Sequence, residues 1–324
     1  MTEAITQPEV LLAALGLDPG LLAGARAANE SFALRVTPSF LSRMRPGDVN
    51  DPLLRQVLPL GDELIDAPGY EADPLEEHAA LRAPGLLQKY AGRALLITTQ
   101  ACAIHCRYCF RREFPYAEQG AAEEGGTRFS AALSQVAADT SIEEVILSGG
   151  DPLSLSDARL TRITDALAAM PHIQRIRVHT RQPVVLPSRV DDGLLNWLHG
   201  IELPTVFVLH INHANEIDGD VRSACARLRE AGITLLNQSV LLRGVNDDAD
   251  TLAQLSRALM DAGVLPYYLH LPDRVRGTAH FDVAETEAQR LVGELSARLS
   301  GYLVPRLVRE VPGAPFKVPS VAPG

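Results

Sequence analysis

Three cysteines lie within eight residues, as Cys102-x3-Cys106-x2-Cys109. Three thiolates on one tight loop can hold three irons of a cubane cluster and leave the fourth iron to a non-protein ligand. A structural zinc needs a fourth protein ligand. His105 stands between two of the cysteines and is expected to point away. Cys225 falls in the helical pattern DVRSACARLREAG, where a small buried hydrophobe is the expected role. Structural zinc and chance clustering stay open behind iron–sulfur chemistry. A second feature is the scarcity of amines. Of 30 basic residues only Lys89 and Lys317 are lysines. Lys317 sits in PGAPFKVP, a segment limited by prolines that can carry an amine over the mouth of a barrel. Any chemistry that needs a primary amine on a side chain has only these two candidates. An exposed tail lysine is the plainer alternative.

These residues need elements to position them. From about residue 94 onward, short apolar β-branched runs alternate with amphipathic stretches. The runs are 94–99, 144–150, 175–180, 205–211, 234–242 and 266–271. Helical patterns fall near 130–139, 157–170, 191–199, 220–231, 249–262 and 285–299. Continuous apolar strands separated by helices imply a parallel sheet covered by helices. Six such units predict an α/β fold with a partial (β/α)6 barrel. No GxGxxG follows the first strand, which argues against a dinucleotide fold. Polar and reactive residues cluster where the runs end. CAIHCRYCFRR follows the first, Ser148-Gly149-Gly150-Asp151 the second, and His179-Thr180-Arg181 the third. His210 and Asn212 end the fourth, Gln238 and Ser239 lie in the fifth, and His270 and Asp273 end the sixth. In a parallel barrel these ends share one face.

Composition sets the surroundings. The chain has 324 residues, 46% of them hydrophobic, and a formal charge of −10. That is globular composition, and the acidic balance argues against a nucleic-acid surface or an anionic membrane. No apolar run is long enough to span a bilayer, and the acidic start is a poor signal peptide. Clustered thiols without a targeting signal fit the reducing cytoplasm. Residues 1–90 read as an N-terminal helical region without chemistry of its own before about Lys89, residues 91–300 as the barrel, and 301–324 as a C-terminal tail, an apolar strand-like run followed by a Pro/Gly-rich end, bearing Lys317.

Cys-x3-Cys-x2-Cys with Tyr108 before the last cysteine resembles the signature of radical S-adenosylmethionine enzymes. Ser148-Gly149-Gly150-Asp151 is similar to that family's glycine-rich strand end, which meets the methionine ammonium. Further segments narrow the resemblance: EVILSGGDPL, TRQPVVLPSRV, HINHANEI, NQSVLLRGVND, PYYLHLPD and PG-x3-K. From about residue 85 to 319 the chain resembles lysine 2,3-aminomutases.

The resemblance implies a [4Fe-4S] cluster on Cys102, Cys106 and Cys109, S-adenosylmethionine on its open iron, and pyridoxal 5′-phosphate on Lys317. It implies that Lys89, Tyr90 and Arg93 approach the pyridoxal phosphate. Arg111 is expected at the substrate carboxylate, and Asp273 with Glu310 at the distal ammonium of L-lysine. The family has aspartate where Glu310 stands, and more glycine before its lysine than Ala314, Pro315 and Phe316 provide. His210 and Gln238 are expected at the cofactors. The implied reaction moves the α-amino group of lysine to C3, with a reductant such as flavodoxin or ferredoxin. The chain ends seven residues after Lys317, which resembles the short bacterial enzymes that supply (R)-β-lysine for elongation factor P and its ligase. Rival readings are free-lysine catabolism, a sister aminomutase for another amino acid, and a zinc-stabilised binding module.

Overall fold

The protein is seen here as a computed structural model in which residues 4–116 and 127–321 are described. Ten strands form one sheet in chain order. Strands β1 (Leu81–Ala83), β2 (Leu86–Tyr90) and β3 (Arg93–Thr99) pair antiparallel. From β3 the pairing turns parallel through β4 (Glu144–Gly149), β5 (Arg175–Thr180), β6 (Thr205–Leu209), β7 (Thr234–Val240), β8 (Leu265–His270) and β9 (Arg306–Arg309). The short β10 (Val318–Pro319) turns back antiparallel on β9. The two ends of the sheet do not pair with each other, so the barrel is open.

A helix fills each parallel crossover, at 127–138, 157–168, 192–199, 219–230, 249–261 and 285–298. Three of them start on an aspartate N-cap: Asp191, Asp218 and Asp248 accept the amides of Leu194, Val221 and Thr251. A carboxylate there satisfies an amide that has no intrahelical partner. The helices then face the sheet with apolar stripes such as Leu160, Ile163 and Leu167. Cys225 is fully buried in its helix, as a small hydrophobe.

All six expected strands are present, with helices between them. The seventh parallel strand, β9, lies in the segment expected as a tail. The N-terminal region departs from expectation at its end. Helices at Pro8–Leu15, Leu22–Ser31 and Pro38–Leu41 give way to the β1–β2 hairpin. Leu86 and Leu87 are buried against the free edge of β3, which draws this segment into the sheet. Lys89 and Tyr90 therefore sit on a strand. Among the described residues no helix is long and apolar enough to cross a membrane.

The N-terminal region also braces the cysteine loop. The amides of His105 and Arg107 donate to the carbonyls of Arg35 and Gln56, both at 2.9 Å. The fully buried Arg107 forms two hydrogen bonds to the Glu63 carboxylate, which also takes Arg112 at 2.8 Å. A buried carboxylate between two guanidiniums ties the loop down, because losing it would strand two cations out of water.

Candidate active site

The C-terminal ends of the parallel strands open into a cavity of about 280 Å³. Cys102, Cys106 and Cys109 line it, together with Lys317, Glu310, Asp273, Lys89, Tyr90, Arg93 and Arg111. Ser148, Gly149, Gly150, Asp151, His210 and Gln238 line it too. Every residue to which the resemblance gives a role thus lines one space, although Lys89 and Lys317 are far apart in the chain. His105 does not line it: the ring stacks on Phe32 and meets the Ala33 carbonyl at 2.7 Å. Asn212 and Ser239 are turned into the backing of the wall. Ser239 donates to the Ile211 carbonyl, and Asn212 donates to Tyr108 and Gln56.

At the cysteine end, burial pushes the Cys109 thiol up to about 11, helped by Cys106. Burial likewise raises Cys102 well above the ordinary thiol range, with Asp151 and the other cysteines adding to it. Cationic iron would offset that mutual repulsion, so the thiols would bind it as thiolates and give up their protons on binding. Among the described residues no three His, Cys, Asp or Glu side chains converge to hold a single metal ion. Arg181 donates from Nη1 to Cys106 Sγ at 2.7 Å and from Nη2 to Gln56 and Glu216 at 2.6 and 2.9 Å. Its Nε is buried without a partner, as are Nε2 of His179 and Nε2 of His270. All three residues line the cavity. Burial holds the His179, His210 and His270 imidazoles neutral, His210 down to about 3. Orphaned polar atoms along a cavity wall call for a polar occupant. Gln238 Nε2 lies 3.0 Å from His210 Nε2.

The glycines have a concrete reason. A Cβ on Gly149 would sit 2.5 Å from the Thr99 carbonyl oxygen, and one on Gly150 would sit 2.4 Å from that of Ala101. Both glycines line the cavity, where the resemblance expects the methionine ammonium, and the nearest atoms an added Cβ would meet belong to the backbone leading to Cys102. Gly150 N donates to Thr99 O at 2.6 Å and Asp151 N to Ala101 O at 2.8 Å. The Asp151 carboxylate accepts from Leu153 N, Thr180 Oγ1, Arg181 N and Gln182 N. Burial nonetheless raises its pKa.

At the amine end, charges alternate. Lys317 Nζ donates to Glu310 Oε2 at 2.5 Å, Lys89 Nζ to Glu310 Oε1 at 2.8 Å, and Lys89 also pairs with Glu77 at 3.1 Å. Glu77 takes Arg111 through two hydrogen bonds of 2.8 Å, and Arg111 Nη1 reaches Ser148 Oγ at 3.2 Å. Burial works against a charged Glu310, but Lys317 and Lys89 outweigh it and hold the carboxyl far below its usual range. Asp273 is pushed the other way, to about 7, by burial and by the Glu310 charge. Tyr90 carries a buried hydroxyl without a partner, and Arg93 lies over its ring at 4.6 Å.

Residues 96–255 match the model of the radical SAM superfamily. Over 322 residues the chain is 51% identical to L-lysine 2,3-aminomutase of Escherichia coli (strain K12), covering 98% of this chain and 92% of that one. The chain belongs to the lysine 2,3-aminomutase family. The Haemophilus influenzae relative of the same name is 45% identical, covering 98% and 93%. That of Clostridium subterminale is 37% identical, covering 91% and 70%.

A [4Fe-4S] cluster and S-adenosylmethionine come with membership in this aminomutase family, and the residues present fit them. Three thiols share the cavity, and buried nitrogens without a partner, Arg181 Nε among them, belong to residues that line its wall. The amine end also fits pyridoxal phosphate: Lys317 reaches the cavity, and the Tyr90 hydroxyl awaits a partner. Sequence reading missed the acids that hold these groups, namely Glu77, Glu63, Glu216 and the amide of Gln56. Glu77 lies in a loop and the other three in short 3-10 turns, and although Glu216 falls within HINHANEI, only the partners identify these residues.

Proposed function

We propose that this aminomutase converts L-lysine to (R)-β-lysine by moving the α-amino group to C3. The observation that carries the reading is one cavity lined by the three cysteines and by Lys317. When bound, the cluster with S-adenosylmethionine supplies a carbon radical that removes hydrogen from C3, and pyridoxal phosphate carries the migrating nitrogen. Cys102, Cys106 and Cys109 each hold one iron. The strand end Ser148–Asp151, with His210 and Gln238, shapes the S-adenosylmethionine side of the cavity. Lys317 anchors pyridoxal phosphate, with Lys89, Tyr90 and Arg93 around it. Arg111 grips the substrate carboxylate with guanidinium N–H groups. Asp273 and Glu310 take the distal ammonium, a pair of acids that disfavours acidic or uncharged side chains. The neutral imidazoles and apolar lining keep water from the reacting carbon.

We place the reaction in the cytoplasm, fed by flavodoxin or ferredoxin, with β-lysine passed to a ligase that modifies elongation factor P. That role extends the family resemblance, which the 51% identity to L-lysine 2,3-aminomutase of Escherichia coli supports as far as the reaction. The test is anaerobic reconstitution followed by assay of lysine conversion. Brown protein with about four irons per chain and β-lysine as product is expected, with pyridoxal absorbance lost in Lys317→Ala. Colourless protein binding zinc, or pyridoxal absorbance retained in that variant, would overturn the reading.

A further inference from the structure

Glu77 belongs to no strand or helix, yet it is only 2% exposed. The chain works to place it there. Asp73 accepts the amides of Glu77 and His78. Glu76, just before it, has φ of 49°, the one non-glycine among the described residues in the left-handed region. Backbone strain of that kind persists only where the surroundings over-determine it. What Glu77 holds is one edge of a guanidinium. Its two oxygens take Nε and Nη2 of Arg111, each at 2.8 Å, while Nη1 reaches Ser148 Oγ. The opposite edge, formed by the remaining Nη protons, is left for the cavity that Arg111 lines.

We propose that Glu77 is the positioning residue for substrate recognition: it clamps the Nε edge of Arg111 and so turns the Nη edge toward the α-carboxylate of the amino acid. The proposal rests on the reading that Arg111 grips that carboxylate. A guanidinium can hold two carboxylates at once only if each takes a different edge. Without Glu77 the arginine would have no buried counter-ion, and an incoming carboxylate could pair with the Nε edge and lie in a different place. The same Glu77 carboxylate holds Lys89 at 3.1 Å, so one acid relates the carboxylate anchor to the lysine ladder at the far end of the substrate.

The test compares L-lysine with L-lysine amide, which lacks the carboxylate. Binding of each to the reconstituted holoenzyme is measured by calorimetry, with kcat and KM for L-lysine, in unaltered protein, Glu77→Gln and Glu77→Asp. In Glu77→Gln, L-lysine binding is expected to weaken by about 10- to 100-fold, the scale of a misplaced charge-assisted pair. Amide binding should change by less than about threefold, and kcat at saturation should stay within about threefold. Glu77→Asp should recover part of the lysine affinity. Equal weakening of lysine and amide, or no weakening of lysine, overturns the proposal. Should Glu77→Gln lose iron or thermal stability, Glu77→Asp carries the same comparison. If unaltered protein fails to distinguish lysine from its amide, the Arg111 reading falls and takes the proposal with it. If unaltered protein does distinguish them and the variants lose both alike, Glu77 alone is excluded.

Discussion

Lys89 Nζ lies 2.8 Å from Glu310 Oε1, although 221 residues separate them. The contact joins the hairpin strand β2 to the end of β9, across the mouth of the open barrel. With Lys317 on its other oxygen, Glu310 is the centre of a ladder that runs Lys317, Glu310, Lys89, Glu77, Arg111. Asp273 stands beside this ladder without joining its ion pairs, and it feels the Glu310 charge with little water to screen it.

Asp273 titrates near 7, raised by burial first and Glu310 second. A folded pKa above the unfolded value favours the folded state when the group is protonated. That contribution is complete below the unfolded value of 3.8 and is lost as pH rises through about 7. Asp273→Asn stays neutral, so its thermal transition in lysine-free protein should exceed that of the unaltered chain by about 2 °C or more at pH 8. The gap should narrow toward pH 5. Lysine affinity should rise over the same window in the unaltered chain, because the ammonium pairs with the ionised acid. Melting curves and binding measured across that range check both; a gap independent of pH refutes the assignment.

Arg181 places a permanent cation 2.7 Å from Cys106 Sγ and is itself held by Glu216 and Gln56. A positive hydrogen-bond donor at a ligating sulfur stabilises the reduced cluster. Arg181→Gln should therefore shift the midpoint potential of the reconstituted cluster to more negative values and lower iron retention. Arg181→Lys keeps the charge but cannot span all three partners, so its shift should be smaller. A redox titration followed by electron paramagnetic resonance measures this. An unchanged potential in both variants would show that the contact matters for packing alone.

Gly150→Ala would put a Cβ within 2.4 Å of Ala101 O and 2.7 Å of Gln100 O. Neither neighbour is a side-chain tip that can swing aside, so the chain leading to Cys102 must move. The expected cost is about 1–3 kcal/mol of stability, read as a lower urea midpoint, together with reduced iron content. Full iron loading at unchanged stability would refute the close approach.

The strand order was legible because each strand is a short continuous apolar run and each intervening helix keeps its own period; both are local signals. The hairpin over Leu81–Tyr90 was not, since its strands are short and take their pairing from β3. The seventh parallel strand was legible as a strand-like run but not as part of the barrel: Arg306–Arg309 is two apolar residues between two arginines, and only β8 beside it gives it a place in the sheet.

By itself, the amino-acid sequence determined which chemistry is available. Three thiols at close spacing and two side-chain amines in the whole chain are statements about covalent order, and no folding changes them. Tertiary structure alone decided which acids serve these groups. Glu77 meets Arg111 across 34 residues, and Gln56 meets Arg181 across 125. A carboxylate or amide in a loop has the same local appearance whether water or a buried guanidinium faces it. Its role comes from burial and from the partner that burial supplies, and both exist only once the sheet has curled and the N-terminal region has closed over the cysteine loop.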